Sequence, residues 1–104
     1  MLGHADAARG RIRQAIASAT VLNNPFELAY SQFLAAFLRL MIREFADAKT
    51  TAEMAIAVSD EHGFQHYAAG SRVFLGLAEA ALGHPGEGMP IVNLGLNGLI
   101  EVGT

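Results

Sequence analysis

The chain has 104 residues, of which 52% are hydrophobic and 16% are charged, and its formal net charge at pH 7 is −3. This composition fits one small globular domain, and the lack of cysteine excludes both a disulfide framework and a thiolate zinc site. Apart from Arg9, Arg11 and Arg13, the seven Lys and Arg residues are scattered, so no basic stripe predicts a nucleic-acid partner.

The first two predicted helices meet at an Asn-Asn-Pro turn. The first runs from about Ala5 to Val21, and the apolar residues at helical spacing on one of its faces are Ile12, Ala15, Ile16 and Ala19. Asn23-Asn24-Pro25 ends it and starts the second helix, with Asn24 as N-cap and Pro25 in the first turn. The second helix reaches about Ile42.

One stretch of the second helix, Phe33 to Ile42, contains Arg39 as its only charged residue. It is too short to span a bilayer, which requires about 20 apolar residues. A helix that is apolar almost all round is typical of the middle of a helical array. We therefore expect neighbouring helices to cover this segment on several sides, and we expect no membrane partner.

The third and fourth predicted helices are amphipathic. The third spans Glu44 to Glu61, and Gly63 ends it as a left-handed residue just past the last turn. The fourth spans about Phe64 to Leu82, and Gly83-His84-Pro85 closes it. The residues expected to face inward are Phe45, Ala48, Ala52, Ala55 and Ile56 on the third helix and Phe64, Tyr67, Ala68, Phe74, Leu75 and Ala78 on the fourth.

A fifth helix over Gly86 to Val102 is predicted against its own composition. It contains several glycines, each of which costs a helix about 1 kcal/mol relative to alanine. Pro90 is harmless if the helix begins near Met89, but if it begins at Pro85, as the 40-residue register suggests, Pro90 falls where the first intrahelical bond should form. Its apolar residues are numerous enough for tertiary packing to override these propensities. Gly95 and Gly98 also leave room for close contact with another helix.

Matching residues recur at intervals of 40 positions along the chain. Gly3-His4, Arg43-Glu44 and Gly83-His84 are predicted to occupy equivalent turns. Ala15-Ile16, Ala55-Ile56 and Gly95-Leu96 fall at one offset within the helices. A fixed period of this length is typical of repeat arrays whose units are helical hairpins. We therefore predict an all-α fold of about five helices, built as stacked antiparallel hairpins with a 40-residue repeat.

The segment from Asn24 to Met89 resembles the tetratricopeptide-like (TPR-like) repeats at the C-terminal end of large bacterial signalling proteins. These are class III adenylate/guanylate cyclases and AAA or NB-ARC-type ATPase regulators. The resembling elements are Asn24-Pro25-Phe26, Glu61-His62-Gly63-Phe64 and Leu82-Gly83-His84-Pro85. The resemblance implies a right-handed TPR-like α-solenoid, with residues 1–104 as a single domain from a truncated array. No cyclase or ATPase catalytic residue has a counterpart here.

The titratable residues do not form a recognisable catalytic or metal-binding motif. His62 and His66 have the i, i+4 spacing of a metal-binding pair, but Gly63 between them breaks the helix and no further ligand is predictable. No nucleophile elbow and no phosphate-binding loop is present. We therefore expect a protein that is not an enzyme and that needs neither metal nor cofactor.

A polar stripe on the second and fourth helices is the sequence-level candidate site. Gln32 and Arg39 lie seven residues apart, and Arg72 and Glu79 are their counterparts 40 positions later. In TPR-like arrays these helices line the concave surface, so the four residues are candidates for binding a ligand or a protein partner. The alternative is that Arg39 and Glu79 pair with each other or simply reach water.

Uncapped ends of a repeat array expose apolar surface, which normally marks an interface. The sequence therefore predicts a protein-protein interaction or scaffolding module that binds a protein partner or itself, as a homodimer. The alternative function is the sensing of a small-molecule ligand or peptide in the concave groove. Charged residues interrupt any apolar leader near the N-terminus, so we expect a cytoplasmic protein. The resemblance to cyclase and ATPase regulators implies a role in signal transduction.

Overall fold

The described part of the chain is a succession of five α-helices. The computed structural model describes residues 2–21 and 24–103, with side chains over 6–17 and 24–103. The helices are α1 (Leu2–Val21), α2 (Pro25–Met41), α3 (Phe45–His62), α4 (Gln65–Ala81) and α5 (Pro85–Glu101). No strand occurs within these residues, so the all-α prediction is confirmed.

The helix boundaries follow from local capping chemistry. The Asn24 side chain accepts a hydrogen bond of 3.2 Å from the backbone N–H of Glu27, and Pro25 occupies the first helical position of α2, as predicted. Left-handed residues follow α2, α3, α4 and α5, with φ values of 66° at Arg43, 74° at Gly63, 99° at Gly83 and 83° at Gly103. Three of these four are glycine, which adopts positive φ without steric cost.

The N-terminal region differs from its prediction. Gly3 and His4 were expected in a turn, but they lie inside α1, which begins at Leu2. Ile12 is buried on the predicted inner face of α1, whereas Ala15 is exposed. Asn23 and the side chain of Ala19 lie outside the described residues.

The fifth helix is continuous from Pro85 to Glu101 despite its glycines and Pro90. The helix begins at Pro85, so Pro90 lies inside it and cannot donate a backbone hydrogen bond to the carbonyl of Gly86. Close packing against α4 compensates for the poor propensity: a Cβ atom added at Gly95 would lie 2.6 Å from the carbonyl oxygen of Ala69. The predicted close contact at Gly95 is therefore confirmed.

Each helix packs beside the next, and α4 is covered on three sides by α2, α3 and α5. Lys49 forms an ion pair with Glu79, and Asp60 forms one with Arg72. The earlier residue of α3 therefore pairs with the later residue of α4, so the two helices are antiparallel. The core between the helices is built from alanines with no accessible surface: Ala29, Ala36, Ala48, Ala52, Ala55 and Ala78. Small side chains let the helix backbones approach closely and leave many larger apolar residues at the periphery.

None of the helices among the described residues combines the length and the apolar character that crossing a bilayer requires. In particular, α2 has only 17 residues and carries Glu27 and Arg39. The apolar segment at residues 33–42 therefore belongs to a helix of ordinary length within the bundle.

Candidate functional site

The four polar residues of the predicted stripe do not share an open groove. Gln32 and Glu79 are buried, with 4% and 7% of their surface accessible. Arg39 is half-buried and donates a hydrogen bond of 2.8 Å to the Thr51 hydroxyl on α3. Arg72 donates to Asp60, also on α3, at 2.6 Å. The expected alternative pairing of Arg39 with Glu79 is not the observed one, because each contacts a different residue of α3.

Glu79 is the centre of a small electrostatic cluster between α3 and α4. Lys49 Nζ lies 2.7 Å from its carboxylate, and His84 Nδ1 lies 3.8 Å from the other oxygen. The hydrogen bond and charge of Lys49 lower the pKa of Glu79, and the carboxylate raises the pKa of Lys49. This cluster fixes the packing of two helices. It leaves no free charge directed toward a ligand.

Arg72 also borders a small polar cleft, which differs from the predicted concave site. The cleft has a volume of about 340 Å³ and is bordered as well by Ser59, Asp60 and Glu101. Because Asp60 already neutralises Arg72, this arrangement shows no uncompensated charge that would select an anionic ligand.

An exposed apolar face runs along the whole of α2. Its residues are Phe26, Tyr30, Leu34, Phe37 and Met41, each between 37% and 64% accessible. Helices α1, α3 and α4 cover α2 on several sides, as expected, but this face remains open. The helix buries a face rich in alanine against α3 and leaves its largest side chains beside solvent, which is unusual for a surface without a partner.

Aromatic contacts join this face of α2 to α4. The ring of Phe26 lies 5.3 Å from Phe64 and that of Phe37 lies 5.7 Å from Phe74, in the order expected for parallel helices. Between them, Phe33 contacts Tyr67 at 5.3 Å. Gly70 makes room for this packing, because a Cβ atom there would lie 2.5 Å from the Phe33 ring. Aromatic pairs of this kind stabilise the contact by about 0.5–1.5 kcal/mol each.

A second apolar surface lies between α4 and α5, and we call it the terminal groove. Its volume is about 700 Å³, and its lining residues are Phe33, His66, Tyr67, Gly70, Val73, Phe74, Leu96, Leu99 and Ile100. None of these is Asp, Glu, Lys or Arg. Leu96 and Ile100 remain 45% and 70% accessible, so the groove offers apolar surface that no described part of the chain covers.

Sequence reasoning missed the terminal groove, although its signal is present. On each of the two helices, four residues follow one another at intervals of four, three and four positions. They are His66, Gly70, Val73 and Leu77 on α4, and Met89, Asn93, Leu96 and Ile100 on α5. This spacing marks one face of a helix. The glycines of the fifth segment obscured its pattern, because they raised doubt about whether a helix forms at all.

The three histidines whose side chains are described, His62, His66 and His84, do not combine into a metal site. Across residues 6–17 and 24–103, where side chains are described, no three His, Asp or Glu residues lie close enough to hold one ion. His62 lies against the carbonyl oxygen of Val58 at 3.0 Å and stacks on Phe64, whereas His66 borders the terminal groove.

Comparison of the chain with protein-family models, curated proteins and solved structures finds no match. The functional conclusions below therefore depend on the geometry and chemistry of the chain itself.

Proposed function

We propose that this chain is a non-enzymatic protein-protein interaction module that associates with itself through the terminal groove. The observation that carries the proposal is the uncharged apolar lining of that groove, with Leu96 and Ile100 left largely accessible. Apolar surface of this kind gains free energy when a partner removes it from water.

The arrangement of the helices supports interpreting the chain as a TPR-like stack of hairpins. Helices α2 and α4 begin at residues 25 and 65, and α3 and α5 begin at residues 45 and 85. In this interpretation α4 covers the groove between α2 and α3, and the terminal groove is the equivalent position one repeat later. The natural occupant of the terminal groove is therefore another helix.

The accessible apolar side chains set the expected affinity. Leu96 and Ile100 line the groove, and Leu77 and Met89 lie beyond its lining on the same faces of α4 and α5. Each of the four is roughly half accessible, and burying half of such a side chain contributes about 1 kcal/mol. Eight such side chains from two copies give a gross term of roughly 8 kcal/mol, from which the entropy of association must be subtracted. An association cost of at least about 4 kcal/mol leaves roughly 4 kcal/mol, so we expect a weak homodimer with a dissociation constant near 1 mM.

A charge placed in the groove tests this proposal. Ile100→Asp would bury an unpaired carboxylate in the dimer, so we expect the dissociation constant measured by sedimentation to rise about 30-fold or more. The matched control is Leu94→Asp on the same helix, because Leu94 is 60% accessible and does not line the groove. Equal dissociation constants for the two variants would refute the proposal, provided that both retain the parent's helical circular dichroism.

A second candidate function is the binding of a peptide on the concave side, which the exposed apolar face of α2 favours. Tyr30 and Phe37 lie on this face and contact rings of α4. In a screen of immobilised peptides with apolar residues at helical spacing, a hit that binds the parent chain but not Tyr30→Ser would support this function. A peptide that binds the Tyr30→Ser variant as well as it binds the parent chain would show that binding does not use this face of α2.

The proposal places the chain in signal transduction by its resemblance to regions of cyclase and ATPase regulators. In this role the chain supplies a surface that brings proteins together, and the reaction chemistry belongs to other domains. A small-molecule ligand remains a secondary alternative, for which the polar cleft beside Arg72 is the place to look.

A further inference from the structure

We infer that helix α5 of a second copy fills the terminal groove, antiparallel to α5 of the first copy, so that each copy closes the groove of the other. This inference rests on the proposed self-association and specifies its geometry. The resulting interface contains α4 and α5 from both copies and has a two-fold axis between the two α5 helices.

The accessible seam of α5 has the spacing of a coiled-coil core. Met89, Asn93, Leu96 and Ile100 follow one another at intervals of four, three and four residues, and all four are exposed. The seam covers about 16 Å of helix. Alternating spacings of three and four residues keep a seam directed at one partner helix.

Charge explains why the occupant is a second copy and not another helix like α4. The positions on α3 that precede this seam by 40 residues include Lys49 and Asp60, which form ion pairs with Glu79 and Arg72 of α4. On α5 the corresponding residues are Met89 and Ile100, which carry no charge.

A helix with the charges of α4 would therefore bury them in the terminal groove without counter-ions, at a high cost in free energy. The uncharged α5 seam can instead meet an identical seam without desolvating any ion. Self-complementarity of this kind is what a two-fold interface requires.

The same geometry fixes the direction and the register. Helix α4 fills the groove between α2 and α3 and runs antiparallel to α3. A helix that fills the terminal groove in the same way therefore runs antiparallel to α5, and a two-fold axis perpendicular to α5 produces this direction. Full overlap of the two seams then places Met89 opposite Ile100 and Asn93 opposite Leu96 of the other copy. Other registers or a parallel arrangement leave part of the seam uncovered or pair identical residues.

Because the chain contains no cysteine, single-cysteine variants report this pairing directly. Asn93→Cys chains are mixed with Leu96→Cys chains that carry a mass tag, and the mixture is oxidised in a thiol-disulfide buffer. We expect the mixed disulfide to exceed each homodimeric disulfide at least about fivefold, because only the mixed pair brings two Cα atoms within disulfide reach. Leu94→Cys is the matched control and should form no excess of mixed product with either variant.

The outcomes separate this inference from the proposed function. If the chain dimerises by mass but the disulfides form mainly between two Leu96→Cys chains or between two Asn93→Cys chains, the antiparallel register is overturned and self-association remains intact. A chain that stays monomeric by mass would overturn both. As a second readout, Met89→Cys chains mixed with tagged Ile100→Cys chains should also form mainly the mixed disulfide, because these two positions face each other in the same register. Mainly homodimeric disulfides from this second pair would overturn the register.

Discussion

The close approach of α4 and α5 predicts that alanine, normally the better helix former, destabilises the fold at Gly95. A Cβ atom added there would lie 2.6 Å from the carbonyl oxygen of Ala69 and 2.8 Å from the backbone nitrogen of Val73. Both contacts involve backbone atoms, so no side chain can rotate away, and the two helices must separate. Replacing glycine by alanine should therefore lower stability here.

The magnitude follows from two opposing contributions. Removing a glycine from a helix interior favours folding by about 0.5–1 kcal/mol, whereas overpacking a close contact costs about 1–3 kcal/mol. We expect Gly95→Ala to lower the free energy of unfolding by about 1–2 kcal/mol. The change in the free energy of unfolding for Gly98→Ala should be near zero, because its new Cβ atom would lie 3.0 Å from the Cβ of Ala69 and 3.9 Å from the Cα of that residue.

Gly86→Ala on the same helix is the matched control, because a Cβ atom at Gly86 has nothing within 4 Å. We expect this variant to be as stable as the parent or slightly more stable. The assay is urea unfolding followed by circular dichroism, with all variants at one protein concentration since self-association contributes to apparent stability. If Gly95→Ala proves as stable as Gly86→Ala, the proposed close packing of α4 and α5 is refuted.

Two further predictions concern the polar residues between α2, α3 and α4. The Lys49 ion pair lowers the pKa of Glu79, so its stabilisation is present above the unfolded pKa of about 4.3 and is lost as the pH falls through the folded-state pKa. The difference in Tm between the parent and Glu79→Gln should therefore shrink from about pH 6 to about pH 3, and a constant difference would contradict this assignment. Arg39→Ala removes the charged donor to Thr51 and should lower the free energy of unfolding by about 1–2 kcal/mol. It should leave the dissociation constant of the proposed dimer unchanged, and a loss of association in a folded Arg39→Ala chain would show that Arg39 takes part in binding.

The sequence alone was sufficient to predict the helices, because apolar periodicity and turn residues are local signals. Asn24, Pro25 and Gly63 act at the predicted helix ends, and the fifth helix forms where its apolar spacing outweighs its glycines. Gly3 was misplaced because a glycine near a helix end has the same local appearance as a turn. Local signals place individual helices but do not state which of their faces remain uncovered.

The candidate site depended on tertiary information that periodicity does not contain. The partners of Arg39 and Glu79 are Thr51 and Lys49 on α3, which becomes evident only once the packing of the helices is known. Similarly, an apolar helix such as α2 has the same pattern whether its outer face is covered or open. The exposed face at Phe37 therefore could not be distinguished from core by sequence.

The most direct test of the central claim is the absolute mass of the purified chain by light scattering over a concentration series from about 50 μM to about 5 mM, a range that spans the expected dissociation constant. The account predicts a mass that rises from the monomer value of 11.0 kDa toward twice that value. It also predicts that Ile100→Asp remains a monomer throughout while Leu94→Asp follows the parent. A parent chain that stays at the monomer mass across the whole range would contradict self-association through the terminal groove.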